Sequence, residues 1–157
     1  MHAPDDYQCP FCRLLSGDYL TAVGHRIEEL VYEDEQVVVF PARHHKQGNK
    51  GNLLVVPRQH IENLYELPLH LAEPLLRATQ LAAAGLRQVL GCDGISIRQH
   101  NEPAGGQDVW HYHIHVFPRY ENDDFDRTPA EIAPVSERKE LAQRLRTAIL
   151  AIHSTVD

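Results

Sequence analysis

Two hydrophobic periods take turns along this chain, and together they predict its elements. Short apolar runs come first: Glu29 to Glu33 and Gln36 to Phe40 around Asp34-Glu35, then Leu53 to Val56 closed by Pro57. Runs of that length between turn residues predict strands, the first two joined as a hairpin. Residues 41–51, rich in Pro, Arg, His, Gly and Lys, predict a loop. The period then lengthens. Leu71, Leu75, Ala78, Ala82, Leu86 and Val89 recur at spacings of three and four, one apolar face of a long helix stopped by Gly91. Pro68 predicts a helix start, and Pro74 a second start or a kink. Ile95 to Gln99 and Val109 to Phe117 read as strands again, joined through Gly105-Gly106, and 123–134 as a polar connection. Leu141, Leu145, Ala148, Ile149 and Ile152 mark a C-terminal helix beginning near Ser136. The expected fold is α+β: an antiparallel sheet of about five strands with a long central helix and a C-terminal helix packed on one side.

Within the last strand the polar positions matter more than the apolar ones. His111, His113 and His115 occupy every second position, while Tyr112, Ile114 and Val116 alternate with them. Strand side chains point to opposite faces with a period of two, so one face carries three imidazoles. Each ring needs partners for two nitrogens, which makes such a face costly unless it has a function. One metal ion is a poor fit to all three, because the outer pair would stand roughly 13 Å apart. Nucleophilic catalysis fits better: a neutral imidazole attacks phosphorus while a neighbouring imidazolium holds the charged oxygens. That assignment leaves His111 free for a separate role.

Composition narrows the partners. The 157 residues carry 15 Lys plus Arg against 22 Asp plus Glu, a formal charge of -7. A long nucleic acid would want the opposite sign. No stretch approaches the roughly 20 apolar residues of a membrane span, and the opening Met1-His2-Ala3-Pro4-Asp5-Asp6 lacks signal-peptide character. The expectation is therefore a cytoplasmic protein of one domain, 1–157. Three cysteines argue against a disulfide framework. Cys9 and Cys12 form a Cys-X-X-Cys pair, which alone stands open between half a zinc site, a redox pair and chance.

Four segments in order resemble the histidine triad (HIT) family, over roughly residues 7 to 125. His111-Tyr112-His113-Ile114-His115-Val116-Phe117 resembles its His-φ-His-φ-His-φ-φ signature, with φ apolar. Asn101 to Val109 is similar to the Gly-Gln loop before that signature, and Gly51 to His60 to the strand-Pro-basic-X-His segment. Cys9 to Asp18 is similar to the N-terminal opening. The resemblance implies a nucleotide hydrolase or nucleotidyl transferase. His113 would attack the α-phosphorus of a nucleoside polyphosphate, diadenosine polyphosphate-like, or of a phosphoramidate, and His115 would hold the phosphate. Asn52, Asn101, Gly106, Gln107 and Asp108 would serve nucleotide and phosphate binding. Zinc-containing relatives imply Cys9, Cys12, His60 and His111 as ligands of a structural Zn2+, with no catalytic metal required. A homodimer is also implied, and Ala72, Leu76, Ala83 and Gly85 offer a small-residue helix face for it.

Three positions depart from the family pattern. Asn52 stands where a fourth histidine is common, Asp108 where a Ser or Thr is common, and Ala42 near the acidic residue that grips ribose. They leave the nucleophile intact and make a slow nucleotide-binding regulatory or adaptor protein the alternative reading.

Overall fold

The protein is described here by a computed structural model covering residues 2–18 and 27–156. A short helix α1 (Pro10–Leu15) leads to strands β1 (Tyr32–Glu33), β2 (Val37–Pro41), β3 (His44–Lys46) and β4 (Leu53–Pro57). The long helix α2 (Ala72–Leu90) follows, then β5 (Gly94–Gln99), β6 (Ile114–Arg119), β7 (Ala130–Ile132) and the C-terminal helix α3 (Val135–Val156). The main sheet is antiparallel, in the order β1-β2-β4-β6-β5. Five strands, a long helix and a C-terminal helix match the α+β expectation.

Local chemistry explains the boundaries. Asp34 closes the β1–β2 hairpin because its Oδ1 accepts from the backbone N–H groups of Gln36 and Val37, each at 2.7 Å. Gly91 ends α2 in the left-handed conformation at φ 63°, where L side chains are strained. Pro74 neither restarts nor kinks that helix. It sits in the first turn, where its missing N–H would have had no partner.

Side-chain alternation builds two apolar layers. Val37, Val39, Leu53, Val55 and Val116 pack under Leu71, just before α2, and Leu75, Ala78, Ala82 and Leu86 of α2, joined by Leu145 and Ile149 of α3. Val38, Phe40, Leu54 and Val56 point the other way, beneath Phe11 and Leu14 of α1. The sheet is thus covered on both faces, not on one as the helix pattern alone suggested. An α1 of only six residues is too short to show a helical period.

Three further expectations are corrected. The expected loop 41–51 and polar connection 123–134 each contain a strand: β3 and β7 pair with His44 opposite Ile132 and Lys46 opposite Ala130. Three residues a side, His44–Lys46 against Ala130–Ile132, are too few to show a strand period. Strand β6 starts at Ile114, not Val109, because the chain bends before it: His111 N–H donates to Val109 O at 2.8 Å. Gly85 is not available to a second subunit's helix, since an added Cβ would lie 3.0 Å from Ile149 of α3.

Glu29 is also displaced from the expected strand. It lies in a 3-10 turn (Ile27–Glu29), fully buried, where Arg138 of α3 donates to its carboxylate at 2.9 and 3.2 Å. Removing one partner of such a buried pair strands a charge, typically at about 3–5 kcal/mol. Arg138→Met should therefore lower unfolding free energy in urea by about 3 kcal/mol or more. Adding Glu29→Leu should recover most of that loss. A single variant as stable as wild type would contradict the role given to this pair.

Candidate active site and metal-ligand cluster

The bend from 107 to 113 carries the chemistry, and Gln107 is its fastener. This buried amide donates to Glu62 O at 2.6 Å and to Val109 O at 3.1 Å, and accepts from Glu102 N–H at 2.8 Å. Glu102 takes a positive φ of 62° and Gly106 one of 83°, which turns the loop back towards β6. Beyond the bend, Tyr112 N–H donates to Ile61 O at 2.6 Å and its ring enters the α2-side core. His111 and His113 are thereby driven to the opposite face, both buried beside Phe11 at ring separations of 5.6 and 5.3 Å.

The alternation of the triad survives, although His111 and His113 precede the strand and only His115 lies within it. His113 Nδ1 lies 2.7 Å from His111 O. A carbonyl only accepts, so Nδ1 carries the proton and Nε2 keeps its lone pair. Asp108 Oδ1 stands 4.0 Å from that Nε2. His115 is 4.9 Å from the His113 ring, stacks on Phe117 at 5.4 Å and reaches the Asn52 amide through Nδ1 at 3.4 Å. Burial pushes His113 below its ordinary value and His115 down to about 3, where His113 and His100 add to the effect. Both rings are neutral near pH 7. The flanking imidazolium expected from the sequence is therefore not formed in the free site, because burial outweighs any nearby carboxylate.

A pocket of about 250 Å³ opens over these rings. Its walls include Phe11, Arg43, Asn52, Asp108, His113 and His115. It thus brings together four of the seven residues assigned to catalysis and nucleotide binding. Asn101, Gly106 and Gln107 lie outside its walls. Asn101 accepts from Leu64 N–H at 2.8 Å and donates to Gln99 at 2.6 Å. Asp108 is 83% exposed, at the mouth. Phe11, Arg43 and His44 also line it without having been singled out from the sequence; Arg43 and His44 lie in the segment read as loop.

Beside the pocket lies a second constellation. Ligand atoms of Cys9, Cys12, His60 and His111 all fall within 4.8 Å of one another. His111 Nδ1 is 3.3 Å from Cys9 Sγ and 3.6 Å from Cys12 Sγ, and His60 Nδ1 is 3.2 Å from Cys12 Sγ. Tetrahedral zinc with bonds of about 2.0 Å to nitrogen and 2.3 Å to sulfur would place such atoms about 3.5 Å apart. His111 Nε2 donates to Pro57 O at 2.9 Å, which turns the Nδ1 lone pair towards the thiols. The Cys12 thiol beside it, and then His111, hold the Cys9 thiol far below its ordinary value. The donor set fits zinc. The site needs no redox partner to explain it, although among the described residues no cysteine is bridged.

Comparison with known proteins places this geometry. The HIT domain model matches residues 25–122. The chain belongs to the HIT family. The protein "hit" of Bacillus subtilis is 36% identical over 124 residues, 79% of this chain and 78% of that one. A crystal structure of a Zn-bound histidine triad family protein from Mycobacterium smegmatis superposes with a TM-score of 0.76 at 27% identity, covering 94% and 97% of the two chains. An adenylylsulfatase of Arabidopsis thaliana is 26% identical over 119 residues, 73% of this chain and 54% of that one. The HIT family is one of nucleotide-binding proteins that includes nucleotide hydrolases and transferases. Among the described residues no helix is long and apolar enough to cross a membrane.

Proposed function

We propose that this protein hydrolyses or transfers nucleotides at the α-phosphorus of a nucleoside polyphosphate or phosphoramidate, through a nucleotidyl-histidine. The observation that carries this is the His113 ring: Nδ1–H committed to a backbone carbonyl, Nε2 unprotonated and lining the pocket. In the first step Nε2 bonds to phosphorus and the bond to the leaving group breaks. Water then cleaves the N–P bond, releases the nucleoside monophosphate and restores the free ring. His115 donates a hydrogen bond to a phosphate oxygen from Nε2, with its Nδ1 accepting from Asn52 Nδ2 at 3.4 Å. Asn52 and Asp108 line the nucleotide's path, whereas Asn101, Gly106 and Gln107 act by holding the loop in shape. The Arabidopsis relative named an adenylylsulfatase supports an adenylyl-type substrate, and a diadenosine polyphosphate belongs to the same class.

The rival reading, a binding protein with slow turnover, draws on Asp108. A carboxylate 4.0 Å from the attacking nitrogen repels an incoming phosphate unless it is protonated or turned away. Rate separates the two. His113→Ala should cut turnover by about three or more orders of magnitude while nucleotide binding persists, and intact mass should show one nucleotidyl adduct on wild type only. Near-wild-type turnover without His113 would end the covalent mechanism.

Zinc is proposed at Cys9, Cys12, His60 and His111, a closed structural site that ties α1 and the 57–60 turn to the triad. Elemental analysis should give about one zinc per chain, falling sharply in Cys9→Ser along with thermal stability. Metal-free protein with freely reactive thiols, purified without chelator, would refute the assignment. No step of the reaction is routed through the metal.

The 157 residues are read as one domain, supported by α3 packing on α2 at Gly85. Three unbridged cysteines favour a reducing, cytoplasmic setting. A homodimer is proposed through β5, an open edge with Ile97 57% exposed, and through α2, where Leu76 is 62% exposed. Light scattering should then report about twice the 17.9 kDa chain mass. A monomer at high concentration would exclude it.

A further inference from the structure

The pocket holds one formally cationic side chain, Arg43, among its lining residues. Its surroundings are tightly built. Ala42 N–H donates to Asn52 O at 2.8 Å, Arg43 O accepts from Ala133 N–H at 2.9 Å, and Asn52 Nδ2 donates to His44 O at 3.3 Å. The backbone from 42 to 44 is therefore stitched to β4 on one side and to the end of β7 on the other. The Arg43 guanidinium, by contrast, makes no hydrogen bond and no ion pair with any described residue. It is half-buried. Other arginines near this face are engaged: Arg98 with Asp126 at 2.6 Å, Arg119 with Asp123, Arg138 with Glu29. A partly desolvated guanidinium with five donors and no acceptor costs stability unless a ligand supplies one.

The pocket wall beside it offers His44 and Asn52 as polar side chains but no carboxylate for a ribose. Ala42 has no polar side-chain atom, and Asp108, the single carboxylate of the lining, stands next to His113. A fork-shaped cation without a carboxylate nearby suits a phosphate, which it can bind through two parallel hydrogen bonds. In dinucleotide-binding folds a similar exchange, acid for arginine, separates hydroxylated from phosphorylated ribose.

We propose that Arg43 is a specificity-determining residue that grips a second phosphate, so that the preferred substrate is a nucleotide carrying an anionic group besides the one attacked by His113. This rests on the nucleotide reading above. The second phosphate has two possible sources, a phosphorylated ribose hydroxyl or the distal phosphate of a polyphosphate chain. Their shared chemistry is a dianionic phosphate monoester or anhydride end.

Product-like ligands that need no turnover separate these sources. Calorimetry on the zinc-replete wild-type protein would compare adenosine 5′-monophosphate with adenosine 5′-diphosphate, 3′,5′-bisphosphate and 2′,5′-bisphosphate, and repeat the set with guanosine. One phosphorylated arm should bind about 10- to 100-fold tighter than its monophosphate, the range of one charge-assisted contact. Arg43→Ala should reduce that preference to about two-fold or less, and Arg43→Lys should keep part of it through charge without the fork. Unchanged zinc content and melting temperature would show that both variants fold. Equal affinities across the wild-type set, or a preference that survives Arg43→Ala, would overturn the proposal while leaving the nucleotide reading intact. No binding of any ligand by wild type would overturn both.

Discussion

Two backbone carbonyls decide what the histidines of this protein can do. Pro57 O accepts a hydrogen bond from His111 Nε2–H, and His111 O accepts one from His113 Nδ1–H. The two rings are thereby fixed in opposite tautomers only two residues apart. One presents Nδ1 to a pair of thiols, the other presents Nε2 to a pocket. A neutral imidazole has one proton and one lone pair, so the direction of either hydrogen bond sets the job of the opposite nitrogen. Because the acceptor for His113 is the carbonyl of His111 itself, any shift of the backbone at the Cys/His cluster moves the partner that orients the His113 ring. The cluster and that ring are one unit of backbone.

That unit depends in turn on the sheet having two dry faces. Tyr112, Ile114 and Val116 are anchored in the α2 core, which leaves the alternate positions no choice but the α1 side. There Phe11 packs edge-on against His111 and His113. Its contribution is twofold: it excludes water from the rings, and it supplies the burial that keeps His113 neutral. A helix of six residues could not hold that position on its own apolar contacts, since short helices are marginal in isolation. The thiols of Cys9 and Cys12, at its start, give α1 a second attachment to the same strand end.

The main sheet, the long helix and the C-terminal helix were legible because each carries a clear local pattern: short apolar runs between turn residues in β2 and β4, threes and fours in α2 and α3. The histidine triad and the Cys/His cluster were legible because unusual residue types recur at a fixed spacing. What escaped is instructive in physical terms. β3 and β7 are only three residues long, and their pairing is a long-range event that no local pattern encodes. Glu29 and Arg138 are 109 positions apart, and neither looks different from a surface charge in sequence. The bend at 109–113 hid inside a run that reads as continuous strand, since the buried Gln107 amide that enforces it resembles any loop glutamine. The Gln107 and Asn101 amides, which the sequence offers to a nucleotide, donate to protein acceptors here, and no local pattern announces that.

Charge completes the account of how a protein of net charge -7 can receive an anion. The overall field offers no attraction, so affinity must come from within a Debye length of the bound group. Inside the pocket the two triad rings are uncharged, which removes the desolvation penalty of a buried cation but also removes its pull. Neutral rings donate or accept with direction and little strength, and they suit charge that appears only as the transition state forms. Ground-state capture of the anion then falls to a group at the pocket wall whose charge is permanent. Arg43 occupies that place, fixed in the backbone between β4 and β7 and free in its side chain. The division assigns binding to a guanidinium at the wall and chemistry to imidazoles kept neutral by burial.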